Sequence, residues 1–112
     1  MSRFALNRHL ALEEATRVAD GAGGYAEHWL AVGQLWAALR AGSGRERVGG
    51  TLTVSAVPYR ITVRSAPIGS AARPRPDQRF REGDRLFRIL AVADDDETRL
   101  YLTCHCIEEV SG

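Results

Sequence analysis

Hydrophobic and polar positions divide the chain into two halves that read differently. From Leu6 to Ala19 the segment LNRHLALEEATRVA is built of good helix formers, and Tyr25, Trp29, Val32, Trp36 and Leu39 recur at intervals of three or four. Propensity alone therefore predicts a helical hairpin. The same stretch also alternates: Trp29, Ala31, Gly33, Leu35, Ala37 and Leu39 share one strand face, with Leu30, Val32 and Trp36 on the other. Gly33 weakens a helix by about 1 kcal/mol relative to Ala. Both periods stay open at this point.

The second half predicts strands. TLTVSAVPYRITVR, from Thr51 to Arg64, is dominated by β-branched and aromatic residues, and Tyr59, Ile61 and Val63 alternate with Arg60, Thr62 and Arg64. Pro58 removes a ladder donor, which points to an edge or a bulge. Ser65 to Gln78 has three prolines and no hydrophobic period, so it reads as a long loop. QRFREGD follows as a short strand ending in the turn Glu82-Gly83-Asp84, then the strand Leu86 to Ala93, the acidic turn Asp94-Asp95-Asp96-Glu97, and the strand TRLYLTCHCIEE. Short strands separated by turn residues predict a β-meander.

At 112 residues, residues 1–112 form one domain, and 45% hydrophobic with 26% charged residues is ordinary for a packed globular core. A formal net charge of +1 points to no particular partner, yet all 15 basic residues are Arg, which suits partly desolvated assembly contacts as well as a compositional bias. No apolar run reaches the roughly 18 to 20 residues of a membrane helix. MSRFALNRHLALEEA has acids where a secretory signal would be apolar. A soluble chain without membrane contact, made in a cytoplasm, is expected. Cys104 and Cys106 point to the same side of a strand, a poor geometry for a mutual disulfide, which fits a reducing environment.

Candidate chemistry is sparse. The glycines of Asp20-Gly21-Ala22-Gly23-Gly24 match neither G-x-G-x-x-G nor a P-loop, and read as a turn. Cys104-His105-Cys106 suggests a metal site, but a strand sends the cysteines to one face and the histidine to the other, so neither a metal nor any cofactor is expected. Asp94 to Glu97 lacks the spacing of a calcium loop, and no arrangement of Ser, His and Asp forms a catalytic signature. The remaining concentration is basic: Arg73, Arg75, Arg79, Arg81, Arg85 and Arg88 face only Asp77, Glu82 and Asp84 in their window. Such a patch can meet phosphates or acidic surfaces, though its only interleaved aromatics, Phe80 and Phe87, fit a core as well as a stacking role, so it supports no specific readout.

Taken in order, these segments resemble a known family. Asp20-x-x-Gly23-Gly24 leading to Trp29, then Trp36-Ala37, Arg60-Ile61, and Gly83 followed by Phe87-x-Ile89, run from about Leu6 to Glu109. This order resembles the phage head-tail joining family of head-tail adaptor, head closure or stopper proteins. More narrowly, the Arg-rich, Lys-free chain is similar to the version carried by gene transfer agents of alphaproteobacteria. The resemblance implies a mainly β fold, a small antiparallel β-barrel or sandwich with long loops and at most a short helix, and so favours strands in the first half. It implies a structural, non-enzymatic neck protein of a phage-like virion: a homo-oligomeric ring, six copies or alternatively twelve, between a portal-bound adaptor and the tail terminator or tail tube. The ring would close the capsid channel after packaging and offer a tail docking surface, with nonspecific contact to packaged double-stranded DNA.

Residues are expected to follow. The connection Ala41 to Gly50 matches a loop that projects toward the channel, with Gly42, Ser43, Gly44, Arg45, Glu46 and Arg47 facing it. Trp36, Pro67, Ile68, Arg73, Arg75 and Arg79 are expected at a subunit or adaptor interface. On a regular strand Trp29 and Trp36 would face opposite sides, one in the core and one toward a partner. A tail terminator ring, or a small metal-binding barrel, are the alternative readings.

Overall fold

In the computed structural model the described residues are 5–42, 56–94 and 99–109. Among them the chain forms six strands: β1 (Arg8–Ala19), β2 (Tyr25–Ala41), β3 (Ala56–Arg64), β4 (Arg79–Glu82), β5 (Arg85–Asp94) and β6 (Tyr101–Glu109). All pairings are antiparallel, and the order β1-β2-β3-β6-β5-β4 closes on itself as a barrel. The mainly β expectation is met, and β4 to β6 form the meander. Residues 51–55 and 95–98, expected as strand and acidic turn, lie outside the described residues.

Helix propensity in the first half gives way to tertiary context. Leu10 and Leu12, two apart on β1, are fully buried, as are Ile61 and Val63 on β3, Phe87 and Ile89 on β5, and Leu102 and Cys104 on β6. Phe80 from β4 and Ala37 from β2 complete this interior, with Leu35, Leu39, Tyr59 and Val92 packed against it. A helix would turn Leu10 and Leu12 to different faces; a strand puts both inside. Burying side chains of this size stabilises by about 1.5 to 3 kcal/mol each, enough to override small propensity differences.

Pro58 meets the edge expectation without a bulge. It stays in register with Ile107 of β6, while the pairing of β3 with β2 ends one residue away at Tyr59. Its carbonyl accepts from the Gly42 N–H at 2.7 Å, so its nitrogen faces the same side, where the β2 ladder runs out.

The bulge lies elsewhere, and it changes the reading of the tryptophans. Leu12 opposes Gly33 but Glu13 opposes Ala31, so Val32 is an extra residue on β2. One extra residue reverses the inside-outside alternation beyond it. Trp36 opposes His9 and Trp29 opposes Ala15, and His9 and Ala15 lie on the same outward face of β1. Both tryptophans therefore face outward. The expectation of one core tryptophan is corrected: Trp36 is 57% exposed and leans on the His9 ring at 4.7 Å, while Trp29 is half-buried beneath the Arg79 guanidinium, 4.0 Å from the ring centroid.

β1 and β2 run on past the barrel. β4 covers only Ala11 to Glu13 of β1, and β3 covers only Ala37 to Ala41 of β2. Beyond these, Glu14–Ala19 and Tyr25–Leu30 pair with each other alone. Seventeen residues of β2 at about 3.3 Å each span about 56 Å. The molecule measures 54 × 34 × 24 Å, so this strand sets its length. The tip is the glycine turn. Asp20 Oδ1 accepts the Ala22 and Gly24 N–H groups at 2.8 and 3.1 Å, while Gly21 and Gly23 take φ of 81° and 87°.

Because neither tryptophan is in the core, truncation should be mild. In urea titrations Trp36→Ala is expected to change stability by under about 1 kcal/mol, and Trp29→Ala to cost about 1 to 2 kcal/mol through lost cover and the cation–π contact. A loss of about 3 to 5 kcal/mol at either would mean that a tryptophan is packed in the core after all.

Candidate functional site

The basic window divides residue by residue: Glu13 with Arg79 and Arg81 lies on the outer face, whereas Arg8, Tyr59, Glu82, Arg85 and Glu108 share the inward alternation of Leu10, Ile61, Phe80, Phe87 and Cys106 and cap one end of the core. Arg79 Nε donates to Glu13 Oε1 at 2.7 Å, and Arg81 reaches Glu13 Oε2 at 3.4 Å. Glu13 is 5% exposed although it lies outside the barrel, because these arginines cover it. Arg85 donates to Glu108 through Nε and Nη2 at 2.7 and 3.2 Å and to the Tyr59 hydroxyl at 3.0 Å. Arg75 pairs with Glu14, Arg88 approaches Asp77 at 3.5 Å, and Arg73 donates to the Ala66 carbonyl at 3.0 Å. From β1, Arg8 grips Glu82 with two bonds, of 2.6 and 2.5 Å, which hold the Glu82 carboxyl below its usual range. The apparent phosphate patch is thus largely an intramolecular ion-pair belt.

The segment 65–78 is a loop, as expected, but an organised one. Pro67 and Ser70 close a turn, with the Ser70 N–H on the Pro67 carbonyl at 3.0 Å, and the Arg73 N–H follows on the Ser70 carbonyl at 3.1 Å. The buried Gln78 side chain accepts the Arg75 N–H at 2.7 Å, and Pro74 is buried. Pro67 and Ile68 stand at the exposed crest, Ile68 being 88% exposed.

The residues expected at an interface therefore separate. Trp36, Pro67 and Ile68 are presented to solvent, whereas Arg75 and Arg79 are held by Glu14 and Glu13 and Arg73 clips its own loop. Of the channel-loop residues, Gly42 ends β2 with its N–H on Pro58; Ser43, Gly44, Arg45, Glu46 and Arg47 lie outside the described residues. Sequence reasoning missed the apolar residues of the projecting hairpin, where Val18, Tyr25 and Leu30 are 49%, 68% and 56% exposed. Their signal was the length of the alternating run, longer than a small barrel can cover.

Two other motifs resolve by geometry. Cys104 and Cys106 point into the core and His105 outward, so the three cannot converge on one ion. Burial pushes the Cys104 thiol up to about 12 and that of Cys106 also upward. The N–H groups of Ala22 and Gly24, which a phosphate cradle would need, are taken by the Asp20 carboxylate, whose charge would repel a phosphate.

The fold and its outer face define a small antiparallel β-barrel with a projecting hairpin. The chain belongs to the phage head completion protein family, whose family model matches residues 1–110. It is similar to a chain from the virion of a native gene transfer agent particle, with 58% identity, a TM-score of 0.77, and coverage of 95% of this chain and 96% of that one. A solution structure of a protein from Shigella flexneri 2a, at 23% identity and TM-score 0.64 over 96% of both chains, shares the fold. Among curated proteins, none matches.

Glu13→Gln should lower stability by about 3 kcal/mol, since it leaves Arg79, 15% exposed, without its counter-charge. Chemical denaturation measures it, and a change below about 0.5 kcal/mol would show that the pair is solvated. Ellman's reagent should label neither cysteine in the native protein at pH 8 and both after unfolding, because the neutral buried thiols lack access and nucleophilicity. Rapid native labelling would show that the barrel interior opens.

Proposed function

We propose that this protein is the head-closure protein of a phage-like gene transfer agent: a ring in the virion neck, between the portal-bound adaptor and the tail, that closes the DNA channel after packaging and offers the tail its docking surface. The observation that carries the reading is the 58% identity with a chain of a gene transfer agent virion, end to end and without large insertions on either side. Membership of the head completion family supports a role at the head rather than along the tail.

The geometry supplies parts that suit a ring. A barrel closed by its own hydrogen bonds has few open edges, so copies can pack by side chains without running on into a fibre of paired strands. Trp36, Pro67 and Ile68 project from one module, and the hairpin with Val18, Tyr25 and Leu30 reaches beyond it. Exposed aromatic and aliphatic residues of this kind anchor subunit contacts. Arg73, Arg75 and Arg79 contribute by holding the loop and barrel wall in shape. The connection that begins at Gly42 leaves one end of the barrel, and the ring reading turns that end toward the channel.

The reading is tested in intact particles. Cryo-electron microscopy of particles carrying a labelled copy should place density in a ring next to the adaptor; density at the far end of the neck, against the tail tube, would instead make the chain a tail terminator. Removing residues 43–48 should give folded protein and assembled particles that lose DNA before tails attach. Full DNA retention and transfer would remove the channel-facing role of that segment.

A further inference from the structure

On one part of the outer face, arginines without an acid partner meet each other directly across neighbouring strands. Arg40 of β2 lies directly opposite Arg60 of β3, and Arg60 lies directly opposite His105 of β6. All three side chains are exposed and line one shallow depression of about 620 Å³, together with Thr62, Thr103 and Asp94. Like charges directly opposite on neighbouring strands repel. Arg40 and Arg60 have no carboxylate within ion-pair distance among the described residues, in contrast to Arg75, Arg79, Arg81, Arg85 and Arg88. Asp94 is the single acid among the described lining residues, and it sits opposite Leu102, three residues along β6 from His105.

We infer that the Arg40–Arg60–His105 row is a binding site for the phosphodiester backbone of duplex DNA. A repulsive cation pair costs stability in the free protein and is relieved when a polyanion covers it. Three residues on successive strands are spaced about 4.8 Å apart, so the row spans about 10 Å, and duplex DNA carries a negative charge every 1.7 Å or so of its axis. Guanidinium forks grip phosphate oxygens by two bonds at once. Position adds a second argument: Arg40 and Arg60 form the next-to-last pair of the β2–β3 ladder, at the end of the barrel where β2 stops. Choosing DNA over an acidic protein surface rests on the neck reading above, which turns this end toward packaged DNA.

The test uses the full chain and a random duplex of about 30 base pairs, followed by fluorescence anisotropy over a salt series. Wild-type protein should bind weakly, and R40Q/R60Q should lose at least about tenfold at low salt. The slope of log K against log salt should flatten by about 1.8, for two lost phosphate contacts. R75Q/R88Q removes the same net charge from exposed arginines already engaged within the chain, away from the β1–β4 seam, and should change affinity by less than about threefold. R40Q/R60Q should melt no lower than wild type, since it removes a repulsion. Should it unfold instead, amide shifts of wild-type protein titrated with the same duplex decide the matter, and they should centre on residues 38–40, 60–62 and 103–105.

Equal losses in both double variants, unchanged affinity in R40Q/R60Q, or shifts centred elsewhere would overturn the inference. Tighter binding of wild type to polyglutamate than to the duplex would overturn it too, in favour of an acidic protein partner. None of these outcomes disturbs the neck assignment, which is read from position in the particle.

Discussion

The structure depends on a seam three residues long. Ala11, Leu12 and Glu13 of β1 pair with Arg81, Phe80 and Arg79 of β4, and this contact alone joins the first and last strands of the sheet. Three pairs offer few ladder hydrogen bonds, so side chains on both faces must hold the closure. Inside, Leu12 and Phe80 sit opposite each other and are fully buried. Outside, Glu13 is fixed between Arg79 and Arg81. An apolar lock and a charged lock thus act at adjacent pairs of the seam, on opposite faces. Without them β1 and β4 would both become open edges, with their unpaired backbone groups available to other chains.

From that closure the division of the surface follows. Arginines near the seam and along β4 and β5 are drawn into pairs with Glu13, Glu14, Glu82, Glu108 and Asp77, and their charge is spent on the shape of the barrel. Arg40 and Arg60 lie across the barrel, where β2 meets β3, beyond the reach of these acids. The projecting hairpin is the other consequence. Because β4 is only four residues long and β3 pairs with just the last part of β2, the rest of the β1–β2 ribbon has no third strand. A two-stranded ribbon is marginal by itself in water. On the neck reading proposed above, a neighbouring protein of the particle would supply the missing cover.

Much of this was legible in the sequence, and the exceptions have physical causes. The strand from Tyr59 to Arg64 and the turn at Gly83 could be read directly, because alternation and turn residues are local signals. The first half could not, since Leu, Ala, Glu and Arg favour helices and only long-range burial of Leu10 and Leu12 decides for a strand; there the ordered family motifs supplied what propensity lacked. The tryptophans were misread because a single extra residue at Val32 reverses the alternation, and nothing in WLAVGQLW announces a bulge except Gly33 beside it. The basic window was legible as charge but not as pairing, because its partners Glu13, Glu14 and Glu108 lie far away in the chain. Arg40 and Arg60 were unremarkable in sequence, twenty residues apart, and became neighbours only through the β2–β3 register.

Native-state hydrogen exchange tests the seam most directly. If the two locks close the barrel, the paired amides of residues 11–13 and 79–81 should exchange only through global unfolding, with the same free energy and denaturant dependence as those of Ile61 and Leu102 in the β3–β6 ladder. Seam amides that exchange by a separate, lower-energy opening while the β3–β6 ladder stays protected would contradict the account, and would make the protein an open sheet that closes only in its assembly.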